Sequence, residues 1–306
     1  LQQFFSVKVH DASKNILTTK ELIEQASGYD ALIMQGNDLE KSYIEKNKDI
    51  LKVISNIAVG YDNIDLKTAT KYKIPVFNTP NVLDDAVADL TLGLLISVAR
   101  KIFDGHNFIV KNKWKKNSWP LFWGEHFTKE PLGIVGLGNI GKEVAKRAAS
   151  FGFDIYYHNR AKLTVEIEKK NKVTFLTFEE LLKKCKYIIL TLPLNNNSYH
   201  LFNKKVFKKM RKDSFLINVA RGKIINENDL VEALINKKIM GAGLDVFEFE
   251  PKVNKKLYQL KNVVLLPHMG SATKKTRQDM MSLACGNVIN YFFKNQIDNL
   301  VNKEIF

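Results

Sequence analysis

The stretch from residue 131 to 152, PLGIVGLGNIGKEVAKRAASFG, constrains the fold of this chain more than any other part of it. A short apolar run ends at Val135, three glycines follow in the spacing G-x-G-x-x-G, and an amphipathic run continues to Phe151. This order predicts a buried strand, a tight turn and a helix. The combination is typical of a unit that binds a dinucleotide.

The three glycines, Gly136, Gly138 and Gly141, have separate predicted roles. The first allows the turn, the second lets a pyrophosphate approach the backbone, and the third lets the helix pack closely on the strand. The start of the helix adds unpaired N–H groups and a partial positive charge, which both favour phosphate. We therefore predict a dinucleotide cofactor.

The rest of the chain alternates strand-like and helix-like patterns, and its 306 residues are enough for two domains. This alternation predicts an α/β protein with parallel sheets. The longest apolar run, near residues 90–99, is too short to span a membrane, so we expect a cytoplasmic protein. Because the chain begins at Leu1 rather than methionine, a trimmed leader stays open. The two cysteines, Cys185 and Cys285, form no metal-ligand cluster, and we expect reduced thiols and no metal.

The net charge of +15, from 47 basic and 32 acidic residues, favours an anionic partner. Nucleic acid is one candidate, but the lysines are spread along the whole chain and no nucleic-acid-binding motif accompanies them. A phosphate-bearing cofactor and a carboxylate substrate suit the same charge. We therefore predict no nucleic acid and no membrane partner.

The first part of the chain has predicted strands at residues 4–10, 31–34, 53–59 and 74–78. Val59 and Gly60 lie at the C-terminal end of the third of them, where open α/β sheets bind ligands. One long buried helix is predicted over residues 84–103. The aromatic-rich loop after it contains Trp114, Trp119 and Trp123. That loop is either packed on the surface or forms an arm across a dimer or an active-site mouth.

The strand predicted at residues 154–159 distinguishes between the two nicotinamide dinucleotides. An NAD site usually has an acidic residue here for the ribose 2′-hydroxyl, whereas an NADP site has an arginine nearby. This chain has His158, Asn159 and Arg160 instead of an acid. Arg160 would pair with a 2′-phosphate, although a solvated arginine is the alternative. We predict NADP(H), with NAD(H) as the alternative.

Three ionisable residues follow predicted strands of the second half of the chain. Arg221 directly follows the apolar run 215–220, Glu250 lies in FEFEP, and His268 lies in LLPHMG. Each alone has an ordinary structural explanation, but together they suit hydride transfer to a 2-keto acid. The guanidinium can hold a carboxylate, the histidine can give a proton to the nascent alkoxide, and the glutamate can orient the histidine. No metal is needed.

Over essentially its whole length the sequence resembles the D-isomer-specific 2-hydroxyacid dehydrogenases, through AVGYDNID, GLGNIG, NVARGKIINENDLVEAL, GLDVFEFEP and LLPHMGSAT. The resemblance implies that Arg221 anchors the substrate, that His268 is the acid/base and that Glu250 is its partner. It also implies that the backbone at Val59 and Gly60 holds the substrate carboxylate. The predicted cofactor site comprises Gly136, Gly138, Asn139, Ile140, Gly141, Asn159, Arg160, Leu192, Pro193, Val219, Ala220, Asp245, His268 and Gly270, with Asp245 at the nicotinamide amide.

The resemblance further implies two Rossmann-like parallel-sheet domains around a cleft, and usually a homodimer. Residues 1–86 and 272–306 would form a flavodoxin-like substrate-binding domain, and residues 87–271 a doubly wound dinucleotide-binding domain. The HNR after the second nucleotide strand and the SWPLFWG segment look most like glyoxylate/hydroxypyruvate reductases. In relatives of that kind a tryptophan of this segment reaches the partner's active site, and Trp119 is the candidate.

We therefore predict NADPH-dependent reduction of glyoxylate or hydroxypyruvate to the D-2-hydroxy acid. Two alternatives stay open at this point. The first is an NAD-linked dehydrogenase of a larger substrate of the D-lactate or 3-phosphoglycerate type. The second is a nucleotide-sensing binding protein without activity, since corepressors are built on the same fold.

Overall fold

The fold is that of a computed structural model, which describes residues 1–11, 17–116 and 119–306. Ser118, the first residue of the SWPLFWG segment, lies outside these ranges. The chain divides into two compact units, one formed by Leu1–Leu83 with Thr273–Phe306 and the other by Asp84–Ala272. Each unit contains a parallel sheet flanked by helices, as the alternating sequence pattern predicts.

The helices and strands are named in chain order. They are α1 (Thr19–Ala26), β1 (Ala31–Met34), α2 (Lys41–Asn47), β2 (Val53–Asn56), α3 (Leu66–Lys71), β3 (Val76–Phe77), α4 (Asp84–Ala99), α5 (Ile102–Val110), β4 (Pro131–Val135), α6 (Asn139–Ser150), β5 (Asp154–His158), α7 (Val165–Asn171), β6 (Thr174–Phe175), α8 (Phe178–Lys184), β7 (Tyr187–Leu190), α9 (Lys204–Phe207), β8 (Phe215–Asn218), α10 (Glu227–Ile235), β9 (Gly241–Leu244), β10 (Val263–Leu265) and α11 (Lys274–Lys294). Short 3₁₀ turns cover Gly222–Ile224, Leu257–Gln259 and Lys303–Ile305.

The larger unit has a seven-stranded sheet in the order β10-β9-β8-β7-β4-β5-β6, with every neighbouring pair parallel. Its strands are buried on both faces. Along β7, Tyr187 and Ile189 join one apolar cluster, whereas Ile188 and Leu190 join another on the opposite side. The direction of winding reverses between β4 and β7, and such a switch point is where doubly wound sheets bind ligands.

The smaller unit has a three-stranded parallel sheet in the order β1-β2-β3. The long C-terminal helix α11 packs against the central strand β2, where the Ser55 hydroxyl donates a 3.0 Å hydrogen bond to the carbonyl of Ala284. The N-terminal and C-terminal segments that make up this unit are therefore held together by direct contacts between residues far apart in sequence.

Two sequence-based predictions of secondary structure are wrong. Residues 4–10 form no strand, because Phe4 and Phe5 instead pack their rings on Phe293 and Phe292 of α11, with centroids 5.3 and 5.5 Å apart. The helix predicted over residues 84–103 is interrupted, because Lys101 adopts a left-handed conformation with φ of 54°. It thus becomes α4, which is buried as predicted, and α5.

Within the described ranges, the model contains no helix with both the length and the apolar character that a membrane span requires. Cys185 is buried, Cys285 is half-buried, and neither is in a disulfide.

Candidate active site

The glycine-rich turn between β4 and α6 has no room for larger side chains at two of its three glycines. Gly136 has a φ of +100°, and a Cβ there would lie 2.7 Å from the backbone nitrogen of Leu192. A Cβ on Gly141 would lie 2.6 Å from the carbonyl oxygen of Gly136. The first glycine therefore makes the turn, and the third lets α6 approach β4.

The middle glycine faces open space. A Cβ on Gly138 would meet nothing within 4 Å, and this residue is the N-cap of the 12-residue helix α6. The first N–H groups of a helix have no partner within the helix, and they carry the positive end of its dipole. Gly138, Asn139, Ile140 and Gly141 thus form a cradle that fits a pyrophosphate.

The segment after β5 supports this turn and carries the residue predicted to select the cofactor. The Asn159 side-chain oxygen accepts a 2.7 Å hydrogen bond from the backbone N–H of Leu137 and so ties β5 to the glycine turn. Arg160, the next residue, is exposed. The supporting role of Asn159 was not predicted, because Leu137 is 22 residues away in sequence.

Leu192 and Pro193 follow β7 on the other side of the switch point. The backbone of Leu192 borders Gly136, and the hydroxyl of the preceding Thr191 donates a 2.8 Å hydrogen bond to the Gly136 carbonyl. The ends of β4 and β7 are thereby fixed to each other at the point where the cofactor is predicted to bind.

Arg221 lies on the turn after β8, which ends at Asn218, two residues before the predicted strand end at Ala220. Asn218 is buried, and its side chain holds this turn at both ends. Its oxygen accepts from the backbone N–H of Ala220 at 3.1 Å, and its amide donates to the carbonyl of Arg221 at 3.0 Å. Val219 and Ala220, both predicted cofactor residues, form the body of the turn. Sequence reasoning missed Asn218.

Glu250 and His268 are in direct contact, with 2.7 Å between a carboxylate oxygen and Nδ1 of the imidazole. The other Glu250 oxygen accepts a 2.9 Å hydrogen bond from the backbone N–H of Phe247. Burial opposes ionisation of Glu250, but the bond to His268, the Phe247 N–H and the charge of Arg221 together lower its pKa below the ordinary value. Glu250 is therefore a carboxylate that holds the histidine, and Arg221 lies near enough to favour its ionisation.

The turn that carries His268 is held by Asp245. His268 has a φ of +50°, and its backbone N–H donates to the Asp245 carbonyl at 2.8 Å. The two Asp245 carboxylate oxygens accept from the N–H groups of Met269 and Gly270, each at 2.8 Å. Burial raises the pKa of Asp245, although these two hydrogen bonds oppose the rise. Asp245, predicted to contact the cofactor, thus also fixes the histidine turn.

The remaining predicted substrate residues are Val59, Gly60 and Trp119. Val59 and Gly60 belong to the smaller unit, just after β2, and their carbonyls accept hydrogen bonds from the side chains of Asn78 and Asn56. Trp119 belongs to the larger unit, where its side chain is exposed at 81%, and its carbonyl accepts a 3.0 Å hydrogen bond from the Trp123 indole. Among the described residues no group of three or more His, Cys, Asp or Glu side chains could hold a metal ion.

The fold and these residues define a dinucleotide-dependent oxidoreductase, and comparisons with known proteins specify the family. The family described as D-isomer specific 2-hydroxyacid dehydrogenase, NAD binding domain, matches residues 92–270. The chain belongs to the D-isomer-specific 2-hydroxyacid dehydrogenases, as its sequence motifs predict.

Individual relatives agree with this assignment. The chain is 44% identical to a glyoxylate reductase of Thermococcus litoralis, over 93% of this chain and 87% of that one. It is 40% identical to a glyoxylate reductase of Pyrococcus horikoshii, over 100% and 92% of the two chains. Among solved structures, an NADPH-dependent glyoxylate/hydroxypyruvate reductase from Sinorhizobium meliloti, in complex with NADP and malonate, superimposes with a TM-score of 0.84. That pair is 31% identical and covers 95% of this chain and 87% of the other.

Proposed function

We propose that this enzyme reduces glyoxylate or hydroxypyruvate to the D-2-hydroxy acid with NADPH, and that His268 donates the proton. The observation that carries the proposal is the 2.7 Å contact between Glu250 and His268, within the electrostatic influence of Arg221. A bound reduced nicotinamide supplies the hydride that goes to the carbonyl carbon. The carbonyl oxygen then needs a proton, and an imidazole oriented by a carboxylate is suited to give it.

Each of the three side chains has one role in this proposal. Arg221 binds the substrate carboxylate, for which its planar guanidinium offers two parallel hydrogen bonds. His268 hydrogen-bonds the keto oxygen and protonates it as the alkoxide develops. Glu250 accepts a hydrogen bond from the Nδ1–H of His268, which leaves Nε2 as the nitrogen that faces the substrate. The backbone at Val59 and Gly60, in the smaller unit, is a further proposed binding site for the substrate carboxylate.

The proposed preference for NADPH depends on Arg160. It is exposed just after β5, and residues 158–162 contain no acid that would accept the ribose 2′-hydroxyl of NAD. A guanidinium at this position attracts a 2′-phosphate, whereas a carboxylate would repel it. The relative from Sinorhizobium meliloti, an NADPH-dependent reductase, supports the same preference.

The first test is to follow the loss of reduced nicotinamide absorbance with glyoxylate, hydroxypyruvate or pyruvate, using NADPH and NADH in parallel. We expect turnover of the two small keto acids with a higher kcat/KM for NADPH. Turnover with NADH alone would leave the reaction standing and overturn the cofactor preference. Absence of turnover with every pair would overturn the proposed function.

The second test assigns the proton donor with a pair of matched variants. His200 contacts Glu248 at 2.7 Å, which is the distance between His268 and Glu250, but it lies outside the proposed machinery. We expect His268→Asn to lower kcat by about a hundredfold or more, and His200→Asn to leave kcat within a few-fold of wild type. Equal effects of the two substitutions would contradict the role of His268.

The third test addresses the cofactor. Arg160→Ser should lower kcat/KM for NADPH about ten- to a hundredfold, because it removes a charge-assisted hydrogen bond, and should change the value for NADH little. Lys208→Ser removes the same charge from an exposed site at the end of α9 and serves as the control. If both variants lose NADPH activity equally, the general positive charge of the protein is responsible and not Arg160.

We also propose that the enzyme is a homodimer that uses α5 and the aromatic segment after it. Helix α5 has no buried residue along its length in the single chain. Exposed apolar side chains on the helix and the segment are Ile102, Phe103, Ile109, Val110, Trp114, Trp119, Leu121 and Trp123. Such a concentration of exposed apolar and aromatic side chains is typical of a surface that another protein covers.

A further inference from the structure

The backbone segment after β2, from Ala58 to Tyr61, is held entirely through its carbonyl groups. The Ala58 carbonyl accepts a 2.9 Å hydrogen bond from the backbone N–H of Thr79. The Val59 carbonyl accepts from the Asn78 side-chain amide at 2.8 Å, and the Gly60 carbonyl accepts from that of Asn56 at 2.9 Å. Three consecutive peptide groups are thus each fixed by a hydrogen bond to the carbonyl.

Fixing a carbonyl also fixes the N–H on the other side of the same peptide group. The peptide unit is planar and trans, so its N–H points opposite to its C=O. The bond from Asn78 to Val59 therefore sets the direction of the Gly60 N–H, and the bond from Asn56 to Gly60 sets that of the Tyr61 N–H. Within the described ranges, no protein group accepts a hydrogen bond from the N–H of Val59, Gly60 or Tyr61. The N–H groups of Gly60 and Tyr61 therefore point away from the asparagines, and that of Val59 points away from Thr79, so that all three can donate to a ligand.

Asn78 is itself held by the C-terminal part of the chain. Its carbonyl accepts a 3.0 Å hydrogen bond from the Asn287 amide on α11, and its N–H donates to the Asn299 carbonyl. The side chains of Asn287 and Asn299 are joined to each other at 2.9 Å. The residues that hold Asn78, and through it the Val59 carbonyl, thus lie more than two hundred residues later in the sequence.

Asn56 has one feature that a merely structural residue would not retain. Its amide bonds to the Gly60 carbonyl and, at 3.2 Å, to the side-chain oxygen of Asn63. Its own oxygen is buried and has no hydrogen-bond partner among the described residues. An unpaired buried oxygen is unfavourable and is rare in folded proteins. A leucine at this position would fill a similar space without an unpaired oxygen, but it could not donate a hydrogen bond to the Gly60 carbonyl. The need for that donor explains why an amide side chain is present here.

We propose that Asn56 and Asn78 are positioning residues for the substrate carboxylate. They aim the N–H groups of Gly60 and Tyr61 at the anion, and Asn287 supports Asn78 from α11. The inference rests on the proposed function, in which this backbone holds the carboxylate, and it adds the side chains that shape that site. Backbone N–H groups fixed in advance bind an anion without the entropy loss of ordering a mobile loop.

The test compares Asn78→Ala and Asn56→Ala with Asn47→Ala. Asn47 is a buried asparagine of the same unit whose amide donates to the Tyr43 carbonyl at 2.9 Å, and its oxygen accepts from the Gly28 N–H at 3.0 Å. We expect Asn78→Ala and Asn56→Ala to raise KM for glyoxylate about tenfold, with kcat and KM for NADPH within about threefold of wild type. Asn47→Ala should lower Tm to a similar extent and leave KM unchanged.

Oxalate binding gives a readout that does not depend on turnover. We expect the dissociation constant of oxalate, measured calorimetrically with NADPH present, to rise about tenfold in Asn78→Ala and less in Asn287→Ala. Hydrogen exchange of the peptide that covers residues 57–62 provides the direct test of geometry. Oxalate should slow its exchange in the wild type and in Asn47→Ala, and should slow it much less in Asn78→Ala.

The outcomes separate this inference from the proposed function. If the wild type reduces glyoxylate while both variants keep its KM, its oxalate affinity and its exchange protection, the positioning role is wrong and the proposed function stands. If the wild type neither reduces a keto acid nor binds oxalate, the proposed function fails and the positioning role fails with it. If a variant does not fold, Asn287→Ala replaces it, because Asn287 acts on the site only through Asn78. The KM for glyoxylate, the oxalate affinity and the exchange protection of this variant then test the positioning role.

Discussion

Glu248 and Glu250 are two residues apart, and each holds a histidine at 2.7 Å, yet their surroundings differ. Glu248 is buried, and it exchanges backbone-to-carboxylate hydrogen bonds with Glu227, at 2.9 and 3.1 Å, so that it anchors the start of α10. Glu250 is a third exposed, its histidine is half exposed, and Arg221 lies near enough to favour its ionisation. The first arrangement is suited to structure and the second to exchange of a proton with a ligand.

The lowered pKa of Glu250 makes a prediction about stability and pH. A carboxyl group whose pKa is lower in the folded state stabilises the fold above its unfolded pKa and loses that effect as the pH falls through the folded value. We therefore expect Glu250→Gln to lower Tm at pH 6 to 8, and the difference from wild type to shrink towards zero below about pH 4. Thermal unfolding of both proteins over this range is the measurement.

The matched control for this prediction is His268→Asn, which removes the group that contributes most to lowering the pKa of Glu250. In that background the effect of Glu250→Gln on Tm should depend much less on pH. A Tm difference between wild type and Glu250→Gln that persists undiminished at pH 3 would contradict the assignment of the effect to ionisation of this carboxyl group.

At the level of single residues, the sequence predicts the groups that follow strands but not the groups that support them. Arg221, Glu250 and His268 could be predicted because their types and their positions after apolar runs agree with one chemistry. Asn218 and Asn78 could not, because each bonds to backbone carbonyls, and a carbonyl leaves no signal in the sequence. Such partners are visible only once the strands are placed side by side.

At the scale of secondary-structure elements, the turn after β8 packs directly against the backbone of the segment after β9. A Cβ on Gly222 would lie 1.9 Å from the carbonyl carbon of Phe247 and 2.5 Å from the nitrogen of Glu248. The residue next to Arg221 thus contacts the backbone that leads to Glu250. Because the obstacle is backbone rather than a flexible side chain, the two segments keep a fixed spacing only while residue 222 has no side chain.

This contact predicts a large difference between two glycine-to-alanine substitutions in the same unit. Gly222→Ala should destabilise the fold by about 1–3 kcal/mol or more, because the new methyl forces the two segments apart. Gly93→Ala, in the middle of α4, meets nothing within 4 Å and should stabilise the fold by about 0.5–1 kcal/mol. Denaturant unfolding of both variants measures the difference.

The activity of the Gly222 variant tests whether this spacing matters for the site. At a temperature where the variant is folded, kcat/KM for glyoxylate should fall at least tenfold, since Arg221 is displaced from Glu250 and His268. Gly93→Ala should retain wild-type kinetics. A folded Gly222→Ala protein with unchanged kcat/KM would mean that the spacing of these two segments is not needed for turnover.

Element boundaries also mark the limit of what local patterns predict. The strands and helices of the larger unit follow the predicted order because strict alternation of apolar runs and amphipathic runs leaves few choices. The break at Lys101 escaped prediction because apolar residues continue beyond Arg100 and Lys101 and the break itself contains neither proline nor glycine. Residues 4–10 look like a strand, but their phenylalanines find aromatic partners on α11 instead.

For the whole molecule, the largest feature that a single chain leaves unexplained is the exposed apolar surface of α5 and the segment after it. The interior of the larger unit is already complete without α5, since both faces of its sheet are covered by buried clusters. The exposed apolar side chains on α5 are therefore not needed to complete this interior. A surface of this kind suits the homodimer proposed above.

The last prediction tests that assembly. Light scattering after size exclusion should give twice the chain mass of 35.0 kDa for the wild type. The double substitution of Ile109 and Val110 by glutamate should give single chains, because it introduces two charges into the centre of an apolar interface. Val165→Glu, at an equally exposed apolar residue on α7, should leave the dimer intact. A wild type that elutes as single chains at micromolar concentration, or a double variant that remains dimeric, would remove α5 as the interface. In the first case Trp119 could not reach a partner's active site either, and its predicted role in substrate binding would fall with the dimer.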